Sequence, residues 1–383
     1  MIMVRGGAMP ENRKIRICMW GTKGPFFDNH IRLLESIESI TILSIGSWHR
    51  TKSYDIIAFN NAESPIEKIF EILKRPFRVI LLFSKLDKWC DVHIVHYMNL
   101  WYLLSLFVVP LKKPVIYIPY GTDWRYGNKN RGRINYIRKL IFKYVVHKKI
   151  DLVVLEFHFN LRRFAEILEL RDIEKLSLYT IFPVRNSFYK PTDYPIKKSS
   201  SCFLIFSPRA LRPFYNHDIL IDIISMSKFR NSIVLLFINS FGHNNKYVEN
   251  IASKAKNLNI KVSIINRFLS ADEMARLFSI SEFNVNIPVD DQFGMSIMEG
   301  ALLCSIPILN KHVKSYRELM GQKNAIFIDP YSIEEASKLI DSILANRKLH
   351  KKMCRINRKI FRNRKESNVV ENLTEVIFKV IER

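Results

Sequence analysis

The sequence predicts an α/β protein of two doubly wound, Rossmann-like domains facing each other across a cleft. Three observations carry this reading. Short apolar runs alternate with amphipathic segments along almost the whole of the 383 residues, the pattern of βα units around a parallel sheet. The length suits two domains, each able to bury its own core. Near the midpoint, residues 191–201 (PTDYPIKKSSS) break the alternation with Pro, Lys and Ser and read as a linker.

In chain order, the first half holds β-branched and aromatic runs at Ile15–Trp20, Thr41–Ile45, Val92–His96, Val115–Ile118, Leu152–Leu155 and Leu178–Phe182, each short enough for a buried parallel strand. The segment Val92–Leu111 lacks Asp, Glu, Lys and Arg. Two histidines, an Asn and a Pro divide it into a strand and a helix over 99–109, so it does not read as a membrane span. The second half repeats the pattern with strands at Phe203–Phe206, Ile233–Ile238, Val262–Ile265, Phe283–Ile287, Ile306–Leu309 and Ala325–Ile328. Helical periodicity falls between them at Asp218–Ser227, Lys246–Asn257, Ala271–Ile280 and Ile333–Ala345, and a last amphipathic helix spans 366–383. The domains are therefore expected at 1–190 and 202–365, with 191–201 as the linker.

Composition narrows the partners. There are 60 Lys and Arg against 36 Asp and Glu, a net charge of +24, so an anionic partner is expected: nucleic acid, phosphorylated small molecules or an anionic membrane. The charge is not spread evenly. Residues 125–149 carry nine Lys or Arg and no acid, interleaved with Tyr136, Ile137, Leu140, Ile141, Phe142, Tyr144 and Val145. That is a basic amphipathic helix suited to an anionic bilayer, or alternatively a solvated face. Residues 347–365 hold ten more, again without an acid. Nucleic acid is the weaker expectation, because no RNP-like strand, helix-turn-helix or zinc-finger pattern is present. The five cysteines are scattered without a CxxC pair, so neither a disulfide framework nor a zinc site is expected, and a cytoplasmic setting fits. Residues 1–14 lack the apolar core of a signal peptide.

The richest chemistry lies in residues 283–310, FNVNIPVDDQFGMSIMEGALLCSIPILN: a strand, a polar turn, Gly294, a helix from about Met295 and a further strand. Glycine lets backbone approach a ligand at the first helical turn, where free amides and the helix dipole suit a diphosphate. Ser296 can donate to the same anion. Asp291 and Glu299 lie eight residues apart, and carboxylates there suit sugar hydroxyls better than phosphate. Their plainer reading is a capping Asp and a solvated Glu.

The spacing Asp291-X7-Glu299 within DQFGMSIMEGALLCSIPIL resembles the signature region of retaining, GT-B-fold glycosyltransferases of family four. Further segments resemble the family in order: Phe206–His217, Asn266–Met274, Asp91–His96 and Tyr120–Asp123. The resemblance implies that Glu299 holds the nucleotide ribose, Asp291 contacts the transferred sugar, and Arg209 neutralises the diphosphate, a role its fixed fork of donors fits. Backbone around Phe293, Gly294, Met295 and Ser296 would hold diphosphate and sugar, and Arg267 and Phe268 would flank the base. The family's partner lysine has no clear counterpart; Arg212 or His217 stand nearest. On the first domain Gly21 would let backbone approach the donor, while His96, Tyr120 and Asp123 would serve the acceptor side, although a lone His in an apolar run is more often structural. Tyr120 stands where the family often has His.

The resemblance thus implies a nucleotide-sugar-dependent glycosyltransferase with retention, no metal and no other cofactor, and a last helix that crosses back to the first domain. A basic amphipathic helix adds the expectation of a lipid-linked or glycan acceptor and a peripheral place on the inner face of the membrane. The alternatives at this point are a nucleic-acid-binding α/β protein, or a relative of the same fold acting as epimerase, phosphorylase or inactive sugar-binding protein.

Overall fold

A computed structural model describes residues 14–21, 25–46, 56–57, 77–120, 133–169, 176–180, 182–189, 202–240, 245–291 and 293–382. The chain divides into two units, Met1–Ile181 with Val369–Arg383, and Phe182–Asn368. The expected linker at 191–201 lies outside the described residues.

The first unit is a seven-stranded sheet in the order β3-β2-β1-β4-β5-β6-β7, and every pairing in it is parallel. Its elements are β1 (Ile15–Gly21), α1 (Pro25–Glu35), β2 (Ile40–Gly46), β3 (Ile56–Ile57), α2 (77–86), β4 (Val92–His96), α3 (Leu100–Val108), β5 (Val115–Ile118), α4 (Arg133–Lys149), β6 (Leu152–Leu155), α5 (His158–Leu168) and β7 (Leu176–Leu178). The central strands β4, β5 and β6 are buried at every position, as continuous apolar runs require when helices cover both faces. The segment Val92–Leu111 does split into a strand and a helix, because Asn99 caps α3 through a bond from the Tyr102 amide. Among the described residues no helix is long and apolar enough to cross a membrane.

The second unit is a six-stranded sheet in the order β10-β9-β8-β11-β12-β13, again parallel throughout. It comprises β8 (Phe203–Ala210), α6 (His217–Ser225), β9 (Ile233–Ile238), α7 (Asn245–Asn257), β10 (Lys261–Ile265), α8 (Ala271–Ile280), β11 (Phe283–Asn286), α9 (Met295–Leu302), β12 (Ile306–Asn310), β13 (Ile326–Ile328), α10 (Ile333–Ala345) and α11 (Arg347–Phe361). The last helix, α12 (Glu366–Ile381), starts in this unit, and its residues from Val369 onward belong to the first. There Tyr179 donates to Glu375 (3.0 Å) and Asn372 to the Thr180 carbonyl (2.9 Å).

The differences from expectation have local causes. The strand expected at Leu178–Phe182 ends at Leu178, and Phe182 already counts with the second unit. Backbone and side-chain bonds tie the following segment there: Val184 N–H to Arg364 O (2.9 Å) and Tyr189 Oη to Phe361 O (2.7 Å). Strand β8 runs four residues further than its apolar core, with a register shift against β9 between Ser207 and Ala210. Such an irregularity re-aims the side chains around it, here those of Pro208 and Arg209. The expectation of no disulfide is also corrected: Cys304, just after α9, is bonded to Cys354 on α11. A separation of 50 residues conceals the pairing in the sequence, and only the packing of α11 on α9 brings the two together.

Candidate active site

The start of α9 gathers most of the second-unit residues singled out above. Gly294 is its N-cap and offers no side-chain cap, so the first amides of the helix keep their donors for a ligand. The strain in this turn sits on Phe293, whose φ is 106°, whereas Gly294 has φ −70°. Glycine is needed at 294 for space: a Cβ there would lie 2.7 Å from Arg209 Nη1. Arg209 therefore lies against the opening turn of α9. Its guanidinium donates to Asp291 Oδ2 (2.5 Å) and stacks over Tyr215, 5.0 Å from the ring centre. Tyr316 donates to the same Asp291 oxygen (2.9 Å). The Asp291 carboxylate thus orients the arginine, and one of its oxygens is committed to that task rather than to a sugar. Ser296 Oγ bonds the buried Asn286 (3.2 Å), and Asn284 donates to Ser296 O (2.7 Å), so two strand asparagines fix the turn.

Glu299 sits one turn further along α9 and is buried. Arg185 donates to its Oε1 from both Nε (3.1 Å) and Nη2 (2.9 Å). Burial pushes the carboxyl above the usual carboxylate range, while the Arg185 charge and hydrogen bonds pull it back.

The other sequence candidates spread out from this point. Arg267 and Phe268 are exposed in the loop between β10 and α8; Arg267 donates to Glu273 (2.6 Å) and to Phe268 O. His217 does not replace the missing lysine. It is buried among Tyr215, Phe237 and Tyr247, and desolvation drives it down to about 4, so the ring is neutral at physiological pH. Arg212 is exposed.

In the first unit, Gly21 ends β1 with its carbonyl accepting from Tyr102 Oη (3.1 Å), and a Cβ there would meet the Phe27 ring at 2.3 Å. His96 and Tyr120 meet each other: His96 Nδ1 and Tyr120 Oη are hydrogen-bonded at 2.6 Å, and His96 Nε2 faces His30 Nδ1 at 3.4 Å. Burial and the neighbouring His30 push His96 well below the usual histidine range, so its ring is neutral at physiological pH. Asp123 lies outside the described residues.

One buried group among the described residues has the spacing of a metal site: Cys18, Cys90 and His93, with ligand atoms within 4.8 Å of one another. Trp20 decides its chemistry. The indole N–H donates to His93 Nδ1 at 3.0 Å, which places the ring proton on Nε2. That nitrogen then donates toward Asp87 Oδ1 (3.3 Å) and Cys90 Sγ (3.4 Å) and has no lone pair for a metal. Because Asp87 also accepts the Lys112 and Lys113 amides, the cluster buttresses the sheet.

Residues 195–360 match the family model described as "Glycosyl transferases group 1". Over these residues the chain is similar to the group 1 glycosyl transferases. No curated protein matches the chain by sequence. Among solved structures, the chain is similar to Anabaena HepE in complex with UDP and glucose, at 14% identity, covering 95% of this chain and 100% of that one, with TM-score 0.74. It is similar to a glycosyltransferase from Rickettsia africae at 15% identity, with 97% and 100% covered and TM-score 0.74. It is also similar to sucrose-phosphate synthase from Thermosynechococcus elongatus at 11% identity, with 96% and 100% covered and TM-score 0.71. The two parallel-sheet units are those of the GT-B fold. Arg209, Asp291, Gly294, Ser296 and Glu299 converge in the second unit. Sequence reasoning missed Arg185 and Tyr316, which lie outside the quoted segments, and gave no role to Tyr215, Asn284 and Asn286, which lie within them.

Proposed function

We propose that this protein is a glycosyltransferase that moves a sugar from a nucleotide-sugar donor to a lipid-linked or glycan acceptor at the cytoplasmic face of a membrane. The observation that carries the donor half is the Arg209 guanidinium held against the uncapped start of α9. A paired arginine and free helix amides form a cradle for a diphosphate. The bond from anomeric carbon to diphosphate oxygen breaks with its electron pair passing to the leaving group, the acceptor hydroxyl oxygen bonds the carbon, and the hydroxyl proton passes to the departing diphosphate. The developing charge falls where Arg209 and the α9 amides can neutralise it. This charge supply supports a reaction without metal, and the family resemblance supports retention of anomeric configuration. HepE, with UDP bound, supports a nucleotide sugar as the donor, with Glu299 on the ribose and Arg267 and Phe268 beside the base.

The acceptor half rests on α4. Tyr136, Ile137, Leu140 and Tyr144 are exposed on one stripe of this helix, and Phe107 of α3 packs against Tyr144 with ring centres 5.2 Å apart. Lys139 and Lys143 beside them reach Glu169, and Lys148 and Lys149 close the helix. Apolar side chains ringed by cations favour an anionic bilayer over a nucleic acid, which would not draw on the exposed apolar stripe.

Thermal-shift screening against UDP- and GDP-sugars tests the donor half. Binding to the native state raises the melting temperature, and Glu299→Ala is expected to abolish the rise. A rise kept in that variant would place the donor elsewhere. Turnover abolished by EDTA and restored by Mn²⁺ would overturn metal independence, and NMR of the product's anomeric proton decides retention.

A further inference from the structure

Glu299 is a costly residue to keep charged. It lies on α9 with its side chain 5% exposed, and a buried carboxylate without a partner takes up a proton instead. A protonated Glu299 loses acceptor strength and offers a ribose diol a poorer pair of oxygens. A residue of the same unit meets the need. Arg185 stands in the short segment opening the second unit, pinned on both sides: Val184 N–H bonds Arg364 O, Asn186 Nδ2 bonds Glu366 (2.8 Å), and Phe188 packs on Phe278 of α8. Its guanidinium also lies over the Phe188 ring, 5.1 Å from the centre.

The pairing is one-sided. Nε and Nη2 both fall on Oε1, and among the described residues nothing else bonds Oε2. On the helices packed against α9, Glu273 of α8 pairs with Arg267, and Arg358 of α11 donates to Leu302 O. Asp272 and Arg276 on α8 make no ion pair with Glu299.

We infer that Arg185 is a positioning residue for the donor site: it holds Glu299 as a carboxylate and occupies one oxygen, leaving the other to accept from the nucleotide's vicinal hydroxyls. The inference rests on the reading of Glu299 as the ribose ligand. Arg185 acts through Glu299 and touches no reacting atom.

The test is a mutant cycle of wild type, R185Q, E299Q and R185Q/E299Q, each measured with and without nucleotide. Calorimetric titration with UDP and with GDP is run from pH 5.5 to 8.5. For R185Q the expected loss of affinity is about tenfold or more near neutrality, partly recovered as rising pH ionises Glu299. R185K should restore most of the affinity, and the double variant should bind no worse than E299Q alone. R185Q binding as wild type does, or losing affinity equally at every pH, would overturn the inference. Tighter binding in R185Q would overturn it too, since Arg185 would then be competing with the ribose.

Without nucleotide, the sign follows from a carboxyl raised in the folded state. Such a group favours folding while protonated, and that contribution is lost as pH rises through its folded value. Removing Arg185 raises it further, so the melting temperature of R185Q should fall increasingly below wild type as pH rises, with no such widening in the E299Q background. A pH-independent gap between R185Q and wild type would sink the inference even if wild type bound neither nucleotide. That last result alone would count against the donor-site reading, with the ligand-free cycle still deciding the role of Arg185.

Discussion

Arg209, Asp291 and Gly294 act as one small machine. Asp291 supplies the counter-charge that keeps Arg209 in place, Tyr215 provides a flat seat, and Gly294 leaves the room the guanidinium occupies. Gly294→Ala is therefore expected to displace Arg209 from the start of α9. Its backbone φ of −70° suits alanine, so the fold should tolerate the change while donor-dependent kcat/KM falls about tenfold or more. Steady-state kinetics beside a melting curve separates the two effects. Arg209→Lys keeps charge but loses the fork, and it should fall nearly as far as Arg209→Ala in the same assay. Asp291 and Glu299 were legible in the sequence because both stand in one local motif. Arg185 was not, because it lies 114 positions from the carboxylate it meets and nothing in its neighbours hints at a buried partner. The family's sugar-contacting role for Asp291 is complicated by geometry: Arg209 and Tyr316 both claim Oδ2.

Among the elements, α4 carries the proposed membrane contact and α11 the disulfide. Replacing Tyr136, Ile137 and Leu140 by Ser should reduce co-flotation with liposomes containing phosphatidylserine while leaving soluble donor binding unchanged. Raising salt should weaken the same flotation, since each cation near an anionic surface contributes about 1 kcal/mol before screening. Flotation unaffected by either change would remove α4 from the interface. The Cys304–Cys354 bond closes a loop of 50 residues, and loop-closure entropy assigns such a link up to about 4 kcal/mol. Reduction is expected to lower the melting temperature of the second unit, with free-thiol titration confirming that two thiols appear. The basic run on α11 reads differently from the one on α4. Its buried positions, His350, Met353, Asn357 and Phe361, form the inner stripe, and the cations mainly face solvent.

At the scale of the molecule, the two sheets are separate folding problems joined by α12. Val369, Leu373, Val376, Ile377 and Val380 of that helix are buried, and each apolar side chain so buried is worth roughly 1.5–3 kcal/mol. Deleting residues 366–383 should thus destabilise the first unit far more than the second. Two calorimetric transitions, one of them lost or lowered on truncation, would register this; equal effects on both would refute it. The alternation of strand and helix was legible in the sequence because each βα unit satisfies its backbone and hydrophobic periodicity locally. Thus β4, β5, β6 and β9 fall at the residues their apolar runs mark. Strand order, the break at Ile181 and the disulfide were not, since each depends on partners far away in the chain. By itself the sequence determined the class of fold and the motif around α9, because helix starts, glycine turns and strand runs are local physics. Only the tertiary structure decided which polar groups meet: Arg209 with Asp291, Arg185 with Glu299 and Tyr120 with His96 pair across separations of 82, 114 and 24 positions. No local propensity encodes such pairs; burial makes them necessary, and the packing of whole elements makes them possible.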